Sequence, residues 1–334
     1  MAFLNVFLRT IGFLFAVAFF LALLNLISHY TYENSDEFVY IEGNKESKNI
    51  IAVLNLNGPI INNFNNNIES KIIEYIEPKL VEKKLLILQD INPKILIIKV
   101  NSPGGTVSAT ALLEKILNDY KKKNDVEVYF FTNEILASGG YWIATTGNMI
   151  FANYGSIIGS IGVSGPSWYY YNKPSSVSSG LFGQKIDTEN GIEIYDQNAG
   201  KSKDLYNPFR KPTIKELKHL QNIVDNIYDD FLKKVSKSRK IEISYLKNDI
   251  GALIYTSNQA KDNYLIDDVL YFDELLKNII ISKKFKDYKI IQSKFKKTFL
   301  GKYVSLYYEK NAHFICNEIK SNFVSLHPTF IKNC

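Results

Sequence analysis

The chain has 334 residues, 46% of them hydrophobic and 22% charged, enough apolar material for a full core and too much for a disordered chain. Its net charge of +6 comes almost wholly from lysine, with Arg9, Arg210 and Arg239 the only arginines. Nucleic-acid readers lean on the two-pronged guanidinium, so nucleic acid is set aside as a partner. Cys316 and Cys334 lack CxxC spacing and stand far from other soft ligands, so neither a metal nor any other cofactor is expected.

At the N-terminus, Ile11–Ile27 is uncharged and mostly apolar, and Phe3, Leu4, Val6, Phe7 and Leu8 precede it. Residues 3–27 therefore supply the about 20 helical residues that a bilayer core requires. A cleaved signal peptide has a shorter apolar stretch ending in small residues, whereas Leu26-Ile27-Ser28-His29-Tyr30 follows here. The expectation is an uncleaved anchor over residues 1–30, single-pass in the cell membrane. Arg9, just before the uncharged run Ile11–Ile27, sets the body on the extracytoplasmic side. Polar, acidic residues then make 31–49 a linker.

The folded domain opens with a strand at Ile50–Leu56, an Asn-rich loop at Asn62–Asn67 and a helix at Pro78–Leu88. Ile95–Val100 is a continuous apolar run of strand length, bounded by Pro93 and by Asn101-Ser102-Pro103-Gly104-Gly105, as buried parallel strands are. A helix at Val107–Tyr120, a strand at Val126–Phe131 and a short helix at Gly139–Thr145 continue the alternation up to Met149–Ala152. This order predicts an α/β domain with a mostly parallel sheet. After a glycine-rich region, Gly155–Gly165, and an irregular stretch to Gly200, the longest helix begins at Thr213. Thr213 and Glu216 have capping-box spacing, and Leu217, Leu220, Val224, Ile227, Phe231 and Val235 form the apolar stripe. His219 falls on the polar face of that helix and reads as solvated. Trp142 and Phe151 read as core.

Ser138 stands in Ala137-Ser138-Gly139-Gly140, where serine is also a favoured helix cap and glycine a turn former. A serine hydroxyl is a weak nucleophile, so catalysis would need a neighbouring base and donors for an oxyanion. No Ser/His/Asp set suggests itself, but a lysine serves when burial or nearby positive charge leaves its amine unprotonated. The chain has many lysines, and composition does not choose among them. For the oxyanion, the NSPGG turn after a buried strand exposes backbone N–H groups, and Gly139 supplies another at a helix start. Two strand ends would converge at the carboxyl side of the sheet, where open α/β sheets place their sites.

Four blocks in order, NSPGG at 101–105, ASGGYWIA at 137–144, GSIGV at 159–163 and GKSKDLYNPFRKPT at 200–213, resemble the S49 peptidases, the signal peptide peptidase A group. The resemblance covers residues 50–276 and includes TSNQAKDNYLID at 256–267. It implies a ClpP/crotonase-like α/β fold of repeated β-β-α units and a Ser/Lys dyad. Ser138 would be the nucleophile and Lys203 the general base, with Lys201 the close competitor. Ser160 would orient the lysine, and Gly104, Gly105 and Gly139 would form the oxyanion hole. The single peptidase domain is the half-length form, which implies a homo-oligomer whose active sites join a serine and a lysine from neighbouring protomers. Peptides, including cleaved signal peptides, are the implied substrates. The chain departs from its relatives in the long stretch between GSIGV and the lysine, with Trp168-Tyr169-Tyr170-Tyr171, Ser175–Ser179 and Gly180–Gly183, and in Tyr264 where the family usually has glycine.

Residues 277–334 read as a basic extension, with Lys283, Lys284, Lys286, Lys289, Lys294, Lys296, Lys297 and Lys302 among Phe285, Phe295, Phe299 and Tyr303. A charge run of this kind is a solvated face or an oligomer rim, and such mixtures also suit anionic lipid. Two alternatives to a peptidase remain at this level. A crotonase-type acyl-CoA enzyme shares the oxyanion geometry without needing the serine, and a catalytically inactive membrane scaffold would keep the fold alone.

Overall fold

A computed structural model of the protein describes residues 2–33, 37–62, 74–171, 197–294 and 324–326. Readings made on the Asn-rich loop beyond Asn62, on 175–183, on Cys316 and Cys334 and on the basic residues after 294 fall outside them. The chain divides into two compact units, Met1–Val39 and Tyr40–Cys334.

The first unit carries helix α1 (Ala2–Glu33), on which Phe13, Phe15, Phe19 and Phe20 are exposed. A helix apolar on all sides has no face to bury against a core of its own. Among the described residues no helix is long and apolar enough to cross a membrane. The structure thus supplies a helix over the expected anchor and does not establish a span.

The second unit is an α/β fold around a seven-stranded sheet of order β1-β11-β2-β3-β5-β7-β10. Its strands are β1 (Phe38–Gly43), β2 (Ile50–Asn57), β3 (Ile95–Asn101), β5 (Glu127–Thr132), β7 (Met149–Ala152), β10 (Asp268–Val269) and β11 (Lys289–Ser293). From β11 through β10 every neighbouring pair is parallel. β2 and β3 are apolar runs because parallel strands bury both faces. On one face Ile51, Val53, Ile95, Ile97, Tyr129, Phe131 and Ile290 pack with Leu275 and Ile279 of α8 (Phe272–Ser282). Alternation turns the equally buried Ala52, Leu54, Leu96, Ile98 and Phe130 to the other face.

Three central strands each hand over to a short strand beyond the sheet: β3 to β4 (Gly104–Thr106), β5 to β6 (Ile135–Ala137) and β7 to β8 (Ile157–Gly159). The first two pairs are followed by α3 (Val107–Asn124) and α4 (Gly139–Ala144), giving a repeated strand-strand-helix order. β6, β8 and β9 (Ile254–Thr256) form a small mixed sheet, and β4 pairs antiparallel with β12 (Val324–Leu326). α2 (Pro78–Ile91) precedes β3; α5 (Ile214–Arg239) follows the irregular stretch; α6 (Ile243–Tyr245), a π-turn at Leu246–Ile250 and α7 (Ser257–Asp262) complete the order.

Two boundaries differ from those read in the sequence. Phe38–Gly43, inside the expected linker, is the edge strand β1, and its alternating aromatic and β-branched residues suit a pleat. The expected basic extension begins inside α8, and Lys289–Ser293 is an inner strand paired with β2. Its apolar Ile290 and Ile291 are buried.

Candidate active site

Ser138 leaves β6 with φ 56° and ψ −121° and is 1% exposed. A serine with positive φ is held against its own sterics at a cost of about 1–3 kcal/mol, so neighbouring bonds must fix it. Two do. Its N–H donates to the Gly159 carbonyl at 2.8 Å, and its carbonyl accepts the Trp142 N–H at 2.8 Å, closing the first turn of α4. Ser138 occupies the cap position of α4, yet its hydroxyl makes no capping bond. The capping explanation for this serine therefore fails, and Gly139 behind it opens the helix with an N–H that no earlier turn can receive.

β8 brings the second hydroxyl alongside. It pairs in parallel with β6 in the register Ala137 to Gly159, so Ser160 follows β8 where Ser138 follows β6. Ser160 also has positive φ, 52°, is buried, and donates its N–H to Leu253 at 2.7 Å. Gly159 is required there: its φ is +120°, and a Cβ would come 2.6 Å from the Leu253 carbonyl.

The NSPGG turn reaches the same place from β3. Asn101 Oδ1 accepts from Thr132 Oγ1 and from the N–H groups of Asn133 and Glu134, at 3.0 to 3.1 Å, and so holds the turn that delivers β6. Ser102 bridges to β6 through its N–H to Ile135 and its carbonyl from the Ala137 N–H. A Cβ on Gly140 would stand 2.9 Å from the Ser102 carbonyl, so the two glycine-bearing blocks touch where side chains have no room. Of the three expected oxyanion donors, Gly104 donates its N–H to Ser102 Oγ at 3.2 Å. Gly105 backs onto Ile60, whose carbonyl would lie 1.9 Å from a Cβ there. The Gly104 carbonyl and the Thr106 N–H both face Ile60, at 2.8 and 2.9 Å. Strand alternation turns the Gly105 N–H to the opposite edge.

Lys203 lies in a different neighbourhood. Its N–H closes a turn onto Gly200, and both Lys201 and Lys203 are exposed. The following Asp204 pairs with Arg210, whose guanidinium also grips Glu216 at 2.8 and 3.0 Å in the first turn of α5. That guanidinium lies 5.0 Å from the ring centroid of Trp168, and Trp168 Nε1 donates to the Asn207 carbonyl. The Arg210 hydrogen bond holds the Asp204 carboxyl below its usual range, and the Glu216 carboxyl falls well below for the same first reason, with the Thr213 N–H adding to it. The lysine turn is thus stapled to the N-terminal end of α5.

At its other end α5 meets the helix that Ser138 opens. Phe231 stacks on Trp142 at 4.8 Å, and Lys234 bonds both oxygens of Glu114, which accepts the Trp142 Nε1–H at 2.9 Å. Seventeen residues separate Ile214 from Phe231, about 26 Å of helix. Over that length Ile214 and Leu217 are 75% and 48% exposed, and Leu220, Val224 and Ile227 are only half-buried. Ser138, Gly139, Ser160 and, through Ser102, Gly104 meet within one chain, and Gly105 backs onto Ile60; Lys203 stands in the turn whose Asp204 is stapled through Arg210 to the first turn of α5.

The sequence reading missed Asn101 and Ser102 as parts of the site, though both lie in the quoted NSPGG block. Polar residues directly after an unbroken apolar strand were the available signal. Glu114 and Lys234 are 120 positions apart, and no local pattern joins them.

Comparisons relate the chain to known peptidases. Peptidase family S49 matches over residues 120–286. A relative from Enterococcus faecium named as a signal peptide peptidase SppA is 30% identical over 254 residues, 76% of this chain and 69% of that protein. A relative from Methanocaldococcus jannaschii named as a protease is 34% identical over 191 residues, 57% of each chain. Among solved structures, a membrane-bound stomatin-specific protease with a substrate peptide has a TM-score of 0.45 and 16% identity, covering 79% of this chain and 99% of that one. On the family match, whose bounds include both the serine and the lysine block, and on the 30% identity to the Enterococcus faecium relative, this chain belongs to peptidase family S49.

Proposed function

We propose that the protein is a membrane-anchored serine endopeptidase with a Ser/Lys dyad. The observation that carries the reading is the backbone of Ser138: buried, strained, bonded to Gly159 and Trp142, and making no capping bond with its hydroxyl. Strain of this kind persists where surrounding structure over-determines it, as functional sites do. The repeated strand-strand-helix order supports the ClpP/crotonase-like frame implied by the sequence.

In this reading Ser138 Oγ attacks a peptide carbonyl while the neutral amine of Lys203 takes its proton. The oxyanion is received by the N–H groups of Gly139 and of the NSPGG turn, at Gly105 or, once released from Ser102, at Gly104. Lys203 then passes the proton to the leaving amine, leaving an acyl group on Ser138. Water, deprotonated by the same lysine, releases the acid and restores the hydroxyl. Ser160 orients the amine. The lysine comes from a neighbouring copy, a reading supported by the position of its turn at the far end of α5 and by the uncovered apolar stripe on that half of the helix. Residues 3–27 hold the assembly to the membrane with the peptidase unit outside the cytoplasm, and remnant signal peptides or other membrane-associated peptides are the substrates.

A fluorophosphonate probe tests this directly. The intact protein is expected to be labelled at Ser138 and the Ser138→Ala variant left unlabelled; a well-folded protein that takes no label refutes the nucleophile.

A further inference from the structure

The turn that carries Lys203 continues into a cleft of about 390 Å³, with Leu205, Tyr206, Pro208 and Phe209 as its apolar wall and Asn198 and Asn207 as its polar edge. That volume lies in the range of small-ligand pockets. The wall is braced from behind by the run Trp168-Tyr169-Tyr170-Tyr171. The Trp168 ring lies 5.4 Å from that of Tyr206, and Tyr171 meets Phe209 edge-on at 6.3 Å. The Tyr171 N–H donates to the Pro208 carbonyl at 2.7 Å and Trp168 Nε1 to the Asn207 carbonyl at 3.1 Å, so the main chain is fixed as well as the rings. Asn207 Oδ1 accepts the Phe209 N–H at 2.9 Å and closes a turn over Pro208. Tyr206 itself has φ 64°, a conformation that bulky residues avoid and that glycine or asparagine adopts at lower cost. A tyrosine is thus kept on the cleft wall where a smaller residue would be less strained. The one carboxylate of the lining, Asp204, is paired with Arg210, which leaves no unpaired charge among the lining residues.

We infer that this cleft is a substrate subsite for an aromatic side chain, and that it reaches the active site on the chain that supplies Lys203. The inference rests on the peptidase reading, in which that lysine joins the serine of a neighbouring copy. Lysine and wall belong to one turn, stapled by Arg210 to Asp204 and Glu216, so the movement that brings the amine to Ser138 brings the cleft with it. Three features choose the occupant. Walls of rings and proline favour a stacked or edge-on ring over a flexible chain. A lining without unpaired charge disfavours acidic and basic side chains, which would lose their water and gain no partner. Bracing by Trp168 and Tyr171 holds the wall before substrate arrives, so little is lost in ordering it. One chain then supplies the nucleophile, and its neighbour supplies both the base and the selectivity.

The test offers matched fluorogenic peptides, with phenylalanine or alanine at each position in turn, to the intact protein, Tyr206→Asn and Tyr206→Phe. Asparagine accepts the left-handed backbone while removing the ring, and phenylalanine keeps the ring. At one peptide position the intact protein and Tyr206→Phe are expected to prefer phenylalanine by about tenfold or more in kcat/KM, as a filled apolar pocket supports. In Tyr206→Asn that preference is expected to fall below about threefold, with the loss carried by KM. Mixing decides which chain owns the cleft. Tyr206→Asn placed on Ser138→Ala chains, which can give only the lysine, is expected to erase the preference of their mixture with Lys203→Ala chains. The same substitution placed on the Lys203→Ala chains is expected to leave it. A protein with no preferred position, a preference that Tyr206→Asn leaves whole, or one that follows the Lys203→Ala chain overturns the inference. Leu205→Phe fills the cleft instead of emptying it; it is expected to move the preference towards alanine and decides the point should Tyr206→Asn fail to fold. N-acetylphenylalanine amide titrated into Ser138→Ala protein, followed by the fluorescence that Trp168→Phe removes, reads the cleft without chemistry. Where peptides are cleaved, the preference decides. Where none is cleaved, a saturable change lost in Tyr206→Asn keeps the cleft and removes the peptidase reading, and no change removes both.

Discussion

Ser138 donates its N–H to Gly159 at 2.8 Å, and the residues that follow the paired strands, Ser138 and Ser160, turn away with nearly equal positive φ of 56° and 52°. The Ser138 backbone is therefore set by a neighbour that must be glycine. Gly159→Ala forces a Cβ to 2.6 Å from the Leu253 carbonyl at a φ that L-residues avoid. The expected loss is about 1–3 kcal/mol of stability, with labelling of Ser138 falling further than the loss of folded protein explains. Thermal melts beside labelling rates check it; a variant labelled at the intact rate would show that Gly159 does not set the serine.

Gly140 gives a second, sharper substitution. Its added Cβ would press 2.9 Å from the Ser102 carbonyl and 3.0 Å from Ser102 Cβ, both in a fully buried residue. Gly140→Ala is expected to part the NSPGG turn from α4 and lower kcat at least tenfold, because transition-state bonds depend on sub-ångström placement. Peptidase kinetics with a matched melting curve measures it.

Glu114 ties α3, α4 and α5 together through the Trp142 indole and Lys234. Glu114→Leu leaves both donors without their acceptor, a cost of about 1–3 kcal/mol each where buried. Glu114→Gln keeps an acceptor for the indole. The Gln variant is therefore expected to retain most of the activity that the Leu variant loses, with KM little changed in either.

The Arg210 cluster predicts an acid limb. Asp204 and Glu216 have folded pKa values depressed by Arg210 below their ordinary 3.8 and 4.5. A depressed carboxylate contributes stability above its unfolded pKa and loses it as pH falls through the folded value. The melting-temperature gap between intact protein and Arg210→Met is thus full above about pH 5 and narrows in more acidic buffer. A gap unchanged down to pH 2 would count against these ion pairs.

Lys203 and Ser138 can be placed on different chains. Neither Ser138→Ala nor Lys203→Ala homo-oligomers are expected to cleave peptide, while a co-assembled mixture regains part of the activity. Failure to recover any activity in mixtures shown to co-assemble would rule out shared sites.

Much of the sheet was legible because β2 and β3 are buried on both faces, which forces unbroken apolar runs. The capping box of α5 was legible for a different reason: Thr213 and Glu216 satisfy each other's backbone donors locally. β11 was not. Its five residues sit among lysines, and its identity as a strand comes from β2, as in the bond from the Asn55 N–H to Ser293 Oγ across 238 positions. The site shows the same division. Ser138 and its glycines announced themselves because a close backbone approach admits few residue types. The staple on the lysine turn joins Trp168, Asp204, Arg210 and Glu216, ordinary residues whose meeting depends on how the chain doubles back.

Long helices are stiff, and among the described residues α5 is gripped at Phe231 and Lys234, while Ile214 and Leu217 of its first turns stay exposed. Such a helix acts as a lever whose fulcrum rests against Trp142. The first turn of that rod carries the Arg210 staple to the lysine turn, and further along it stands Trp142, whose N–H closes the turn of Ser138. Delivering the base and aligning the alcohol would then be one mechanical event, set by the grip on a single rod.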